Sequence, residues 1–218
     1  MLLKHKRTVI LMKKIHIIEI SIVIALIISI LSSVISFGID CNDVRNNVVR
    51  LHILANSDSE ADQKVKLIVR DTLLNCGKDL FSGNITVENA KKVLDEQKEE
   101  LIKISNKVLE DNDFKYKTQI YLTEEYFATR TYENFTLPAG KYLALKVILG
   151  EGAGHNWWCV MFPPLCLPAA SENTELNAVF NEDGAEIIQE YSEYEIRFKI
   201  VEWFEGIKYK IKSKYNNK

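Results

Sequence analysis

The chain has 218 residues, 47% of them hydrophobic, with 28 Lys+Arg against 30 Asp+Glu and a net charge of −2. The first 39 residues hold five of the basic and one of the acidic side chains, so residues 40–218 carry 23 against 29, a net of −6. A remainder of that size buries a core without metals or a dense disulfide net, and its acidity speaks against nucleic acid or anionic lipid as partner.

The chain opens on Lys4, Lys6, Arg7, Lys13 and Lys14, followed by a charge-free apolar run from Ile20 to Ile39 that Glu19 and Asp40 bracket. A basic segment before an apolar one is the layout of a secretory signal. The run is also long enough to span a bilayer at ~20 residues. Cleaved signal and retained membrane anchor both stay open for residues 1–39. Ser36-Phe37-Gly38 and Val34-Ile35-Ser36 offer small-x-small cleavage points, whereas Asp40 before Cys41 breaks a lipoprotein signal. Either way the positive charges stay inside, and residues 40–218 are exported as a single domain.

Residues 48–55, VVRLHILA, alternate. Val49, Leu51, Ile53 and Ala55 take one face of a strand, and Val48, Arg50, His52 and Leu54 a mixed face. Ser57 with Glu60 three residues later predicts a capping box. The helix it starts runs to about Cys76, with Val65, Ile68, Val69 and Leu73 inward and Gly77 closing it. Thr86 caps a second helix over residues 87–109, whose stripe is Ala90, Leu94, Gln97, Leu101, Ile104 and Val108. Strands follow over Lys115–Leu122, near Phe127–Tyr132, over Tyr142–Leu149 after a Pro138-Ala139-Gly140 turn, and over Trp157–Phe162. Residues 171–181 and 184–191 read as partly helical. Tyr194, Ile196, Phe198 and Ile200 alternate with Glu195, Arg197 and Lys199, which predicts another strand. Trp203, Phe204, Ile207 and Ile211 then share a face of a terminal helix, whose lysines (Lys208, Lys210, Lys212, Lys214, Lys218) read as a solvated face. The order predicts an α+β fold: a largely antiparallel sheet, two helices after the first strand, and a C-terminal helix.

The densest chemistry lies in GEGAGHNWWCVMFPPLC, residues 150–166. Gly150, Gly152 and Gly154 do not form a phosphate loop, because a strand follows them rather than a helix N-terminus. Cys159 with His155 or His52 as base would make an exported hydrolase acting on peptidoglycan. Against this, Cys159 falls mid-strand among apolar neighbours, and His155 sits in the glycine turn, aimed away from it. No catalytic set, metal-ligand spacing or cofactor motif emerges, and Glu124-Glu125 reads as surface charge. Four cysteines allow three pairings. A Pro163-Pro164 turn favours Cys159–Cys166, a short loop worth roughly 2–3 kcal/mol; free buried thiols are the alternative. Arg50, His52 and Asn56 share the mixed strand face, with Asp58 just beyond. A buried Arg50 needs a mate, for which Asp71 is a candidate.

The run VVRLHILANSDSEADQKVKLIVRD (48–71) and the run NWWCVMFPPLC (156–166) resemble the stage II sporulation protein R family of spore-forming Firmicutes. The resemblance covers nearly all of residues 40–205, with eleven extra residues before an alternative start at Met12. It implies a protein made in the forespore and exported into the space between the two membranes of the sporangium. There it would activate a membrane-embedded aspartic protease of the mother cell, on its extracytoplasmic face, and so trigger processing of pro-sigma-E. Such a protein is a protease activator and not an enzyme. Residue chemistry then nominates His155, Asn156, Trp157 and Trp158, with Arg50, His52, Asn56 and Asp58, as the partner-binding surface, since buried aromatics dominate interface energetics. A strand puts Trp157 and Trp158 on opposite sides, so at most one of them is exposed; which one stays open, as does whether the other packs beneath the terminal helix.

Overall fold

The computed structural model describes residues 2–81, 86–132, 135–163, 165, 180, 182–189 and 191–216, with side chains from residue 14 onward except at 182, 191, 192 and 216. The chain divides into two units, Met1–Asp40 and Cys41–Lys218. Helix α1 (Leu2–Asn46) begins in the first. Its stretch Lys14–Asn46 is long and apolar enough to cross a membrane, as the leader predicts.

In the second unit, β1 (Val49–Leu54) is followed by α2 (Glu60–Leu80), α3 (Val87–Asp111), β2 (Thr118–Phe127), the short β3 (Arg130–Thr131) and β4 (Thr136–Leu137), β5 (Gly140–Leu149) and β6 (Asn156–Phe162). Helices α4 (Glu182–Gln189) and α5 (Tyr191–Asn216) end the described chain. The main sheet has the order β2-β5-β1-β6, and β3 pairs with β4. The fold is α+β, as expected, with a mixed sheet: β2–β5 and β1–β6 are antiparallel, whereas β1 and β5 run parallel.

Central β1 is covered on both sides. Val49, Leu51 and Ile53 pack with Val65, Val69 and Leu73 of α2 and with Leu94, Leu101 and Leu109 of α3. On the other face Val48 joins Phe127, Leu137, Tyr142, Val160 and Ile188. The mixed strand face is therefore a second interior, and Arg50 is fully buried in it. Arg50 does not reach Asp71. It points away from α2, while Asp71 holds neighbouring Arg70 at 2.7 Å.

Several expected details move. Ser59, not Ser57, caps α2, its hydroxyl accepting from the Asp62 amide at 3.2 Å. Gly77 does not end the helix; it lets β6 approach, since a Cβ there would sit 3.1 Å from Met161 Cε. The buried row of α3 is Ala90, Leu94, Leu101, Ser105 and Leu109, so Gln97, Ile104 and Val108 flank it. Ile68 is exposed.

The largest departure is Tyr194–Ile200, expected as a strand and found within helix α5. Residues two apart on a helix lie about 200° apart. Strict alternation therefore also describes a helix with two opposed apolar faces, and α5 has them. Phe198 and Val201 are buried, while Ile196, Ile200, Trp203 and Phe204 are exposed.

Candidate functional site

The chemistry gathers at one end of the sheet, where β1 leaves for α2 and β5 turns into β6. Gly150 and Gly152 take left-handed backbone, with φ of 56° and 64°. Asn56 bolts this turn down: its side-chain oxygen accepts from the Glu151 amide at 3.0 Å, and its carbonyl from Ala153 at 3.1 Å. A Cβ on Gly150 would fall 2.2 Å from Asn56 Oδ1, and one on Gly154 2.2 Å from the Ser57 carbonyl oxygen. The glycines thus serve close approach between the two motifs rather than anion binding.

Asp58 holds the far side of the turn. Its Oδ1 accepts from the His155 amide at 2.6 Å and pairs with His155 Nδ1. These two bonds lower the Asp58 carboxyl below the usual range. Next to it lies a polar knot that the sequence did not single out. Asp62 is buried and accepts from Tyr116 Oη at 2.6 Å, Asn56 Nδ2 at 3.0 Å and Ser57 Oγ at 2.5 Å. Burial pushes its carboxyl up, but these bonds outweigh it and the net shift is downward. Its own burial raises the Tyr116 hydroxyl, and the bond to the Asp62 carboxylate adds to the rise. Lys66, also buried, donates to the His155 carbonyl at 2.9 Å and to Gln63 at 2.6 Å. A polar residue four positions after Asp62 on a helix otherwise lined by valine and leucine was the available signal.

A second arrangement crosses the sheet. In register, His52 lies opposite Trp158 on β6 and Lys146 on β5, whereas Glu125 of β2 faces Tyr142 and reaches the pair diagonally through its side chain, so the cluster takes one residue from each strand. Glu125 bridges His52 Nδ1 at 2.7 Å and Lys146 Nζ at 2.6 Å. His52 Nε2 meets Asn156 Oδ1 at 2.9 Å. Burial raises the Glu125 carboxyl, yet its bonds to His52 and Lys146 prevail and hold it low. Glu125 is thus not a plain surface charge. The His52 ring is stacked on Trp158, which meets Phe127 edge-on with centroids 5.0 Å apart. Arg50 lies beneath, its guanidinium 4.4 Å from the Phe127 ring and 5.1 Å from Tyr142, donating to Tyr132 Oη at 2.6 Å and the Cys159 carbonyl at 3.1 Å.

Trp157 and Trp158 face opposite sides, and both are half-buried. Trp157 belongs to the helix face, under the Arg70 guanidinium at 4.5 Å. Trp158 belongs to the other face, beside His52 and Phe127, and borders a cavity of about 200 Å³ that Tyr126, Ala128, Thr129 and Arg130 also line. That is below the ~300–1,000 Å³ of small-molecule sites and suits a single partner side chain. Of the residues nominated from sequence, Asn56, Asp58 and His155 meet in the turn, and His52, Asn156 and Trp158 meet on the sheet face; Arg50 lies inside and Trp157 behind. Cys159 is buried and disulfide-bonded, whereas Cys41 and Cys76 are not in disulfides. Its expected mate, Cys166, lies outside the described residues, as does most of 171–181. Among the described residues no three His, Cys, Asp or Glu converge as a metal site.

Comparison with known proteins places this arrangement. A family profile described as Stage II sporulation protein R (spore_II_R) matches residues 45–172, which take in β1 to β6 and both motifs. The chain belongs to the stage II sporulation protein R family. Stage II sporulation protein R of Bacillus subtilis (strain 168) is 36% identical over 123 residues, 56% of this chain and 55% of its own length. The chain therefore aligns with about half of that curated relative. No solved structure matches.

Proposed function

We propose that the chain is an exported sporulation signal, made in the forespore, which binds the extracytoplasmic face of a membrane-embedded aspartic protease of the mother cell and so triggers processing of pro-sigma-E. Family membership supports the sporulation role, and the apolar N-terminal helix is consistent with export. The observation that carries a binding role is the half-buried Trp158, held on His52 beside a cavity of about 200 Å³. An indole presented on a rigid support next to a pocket the size of a side chain is the anatomy of an interface anchor. The rival reading, a Cys-His hydrolase acting on peptidoglycan, requires a thiolate at Cys159. That sulfur is buried and bonded to another sulfur, and His155 is engaged by Asp58.

The experiment replaces the native gene with Trp158→Ala or Trp157→Ala in a sporulating strain. Pro-sigma-E processing is measured alongside the exported level of each variant. Loss of processing with Trp158→Ala at normal level, with Trp157→Ala far milder, is the expected result. Normal processing with Trp158→Ala overturns the proposal.

A further inference from the structure

Helix α5 is dressed for two environments. Its inner face closes the domain. Phe198 and Val201 are buried, Tyr209 stacks on Tyr126 with centroids 4.8 Å apart, and Glu205 approaches Arg45 at 3.8 Å. The outer face carries a continuous apolar stripe: Ile196 at 76% exposure, Ile200 at 40%, Trp203 at 70%, Phe204 at 60%, Ile207 at 39% and Ile211 at 54%. So much exposed apolar surface on one helix face marks a contact with something else.

The charges say with what. At 100° per residue, Glu195, Glu202 and Glu205 fall off the stripe toward the inner side, and Glu193, in the first turn, is the acidic residue on the outer side. Arg197 and Lys208 run along one border of the outer stripe, and Lys199 and Lys210 along the other. Lys212 and Lys214 add positive charge at the C-terminal end. The net acidity of residues 40–218 conceals this sorting: beside the stripe, Lys199 and Lys208 pair with Glu195 and Glu205, while Arg197 and the C-terminal lysines add positive charge along it. Two copies meeting stripe to stripe would press basic borders against basic borders. A layer of lipid phosphates would neutralise them. Trp203 and the lysines are the residue types that settle at the boundary between headgroups and acyl chains. The same chain also carries a candidate membrane span in α1.

We infer that the outer face of α5 lies on an anionic lipid bilayer, with its stripe in the headgroup–acyl boundary and its flanking lysines on lipid phosphates. This inference does not rest on the proposed protease partner. It gives the domain a second membrane contact besides its N-terminal segment.

The test uses the full chain in vesicles of phosphatidylcholine, with or without phosphatidylglycerol, whose acyl chains carry bromine as a contact quencher. Trp203 emission is taken as the difference between the native chain and Trp203→Phe, which cancels Trp157 and Trp158. The expected result is several-fold stronger quenching of Trp203 when phosphatidylglycerol is present. Lys208→Gln, Lys210→Gln and Lys214→Gln should each lower the docked-to-undocked ratio, by about fivefold per lysine. These side chains are exposed, so the fold is expected to survive, and far-UV circular dichroism checks that it does. Equal quenching in the two vesicle types overturns the inference. So does a Trp203 shielded from both bromolipid and acrylamide, the signature of a protein or a second copy on the stripe.

Discussion

The imidazole of His52 lies flat on the indole of Trp158, with ring centroids 3.7 Å apart and planes 18° from parallel. The two residues sit directly across the β1–β6 pair, and each is also the start of a polar or aromatic chain. His52 leads to Glu125 and Lys146, and Trp158 to Phe127. The orientation of Trp158 is thus fixed by a stacked imidazole and an edge-on phenyl ring.

His52→Phe keeps a ring for Trp158 to stack on but removes the bonds to Glu125 and Asn156. A half-buried carboxylate then keeps only Lys146. The expected loss is about 1–3 kcal/mol, the usual cost of a buried polar group without its partner. Urea unfolding measures it. A variant as stable as the native chain would mean that Glu125 is satisfied without the histidine.

Acid should weaken the domain through Asp62. Its folded pKa lies below its unfolded value of about 3.9. Its contribution is therefore complete above that value and is lost as pH falls through the lower, folded one. Asp62→Asn should be less stable at neutral pH and should lose less of its stability on acidification. Denaturation midpoints across the acid range give the comparison, and parallel curves for the two proteins would contradict it.

Gly154→Ala should be costly although the backbone there is unstrained. The new Cβ would meet the Ser57 carbonyl, a backbone atom that cannot swing aside. About 1–3 kcal/mol is expected for such overpacking. Thermal unfolding should register it, together with faster hydrogen exchange at the Gly154 amide, which bonds the Ala55 carbonyl at 2.9 Å.

Removing the disulfide at Cys159 should cost about 2–4 kcal/mol. Reductant should bring the native chain to the level of Cys159→Ala and leave that variant unchanged. In cells, processing of pro-sigma-E should fall only as far as the protein level falls. Complete loss of processing by Cys159→Ala at normal level would return the thiol to consideration as a nucleophile.

Parity along the strands was the most readable property of the sequence. The alternation of residues 48–55 placed Arg50 and His52 on one face of β1, and adjacency alone sent Trp157 and Trp158 to opposite sides. What covers a face was harder to read. Nothing near Arg50 in sequence announces that Phe127, Tyr132 and Tyr142 will enclose it, because those rings arrive from β2, the β3–β4 hairpin and β5. Asp71 looked like its mate only because it stands in the neighbouring helix. Glu125 passed for surface charge because its partners, His52 and Lys146, lie 73 and 21 residues away. Tyr194–Ile200 misled for a different reason: two opposed apolar faces on a helix produce the same period as one strand.

The cluster formed by Glu125, Lys146, His52 and Trp158 takes one residue from each of four strands, and its central pair, β1 and β5, comes together only after two helices and β2 to β4 have been laid down between them. No single element of the chain carries that cluster. Under the proposed signalling role, such a surface would double as a certificate of completed assembly: a truncated, misregistered or half-folded copy would lack it and would leave the partner unanswered.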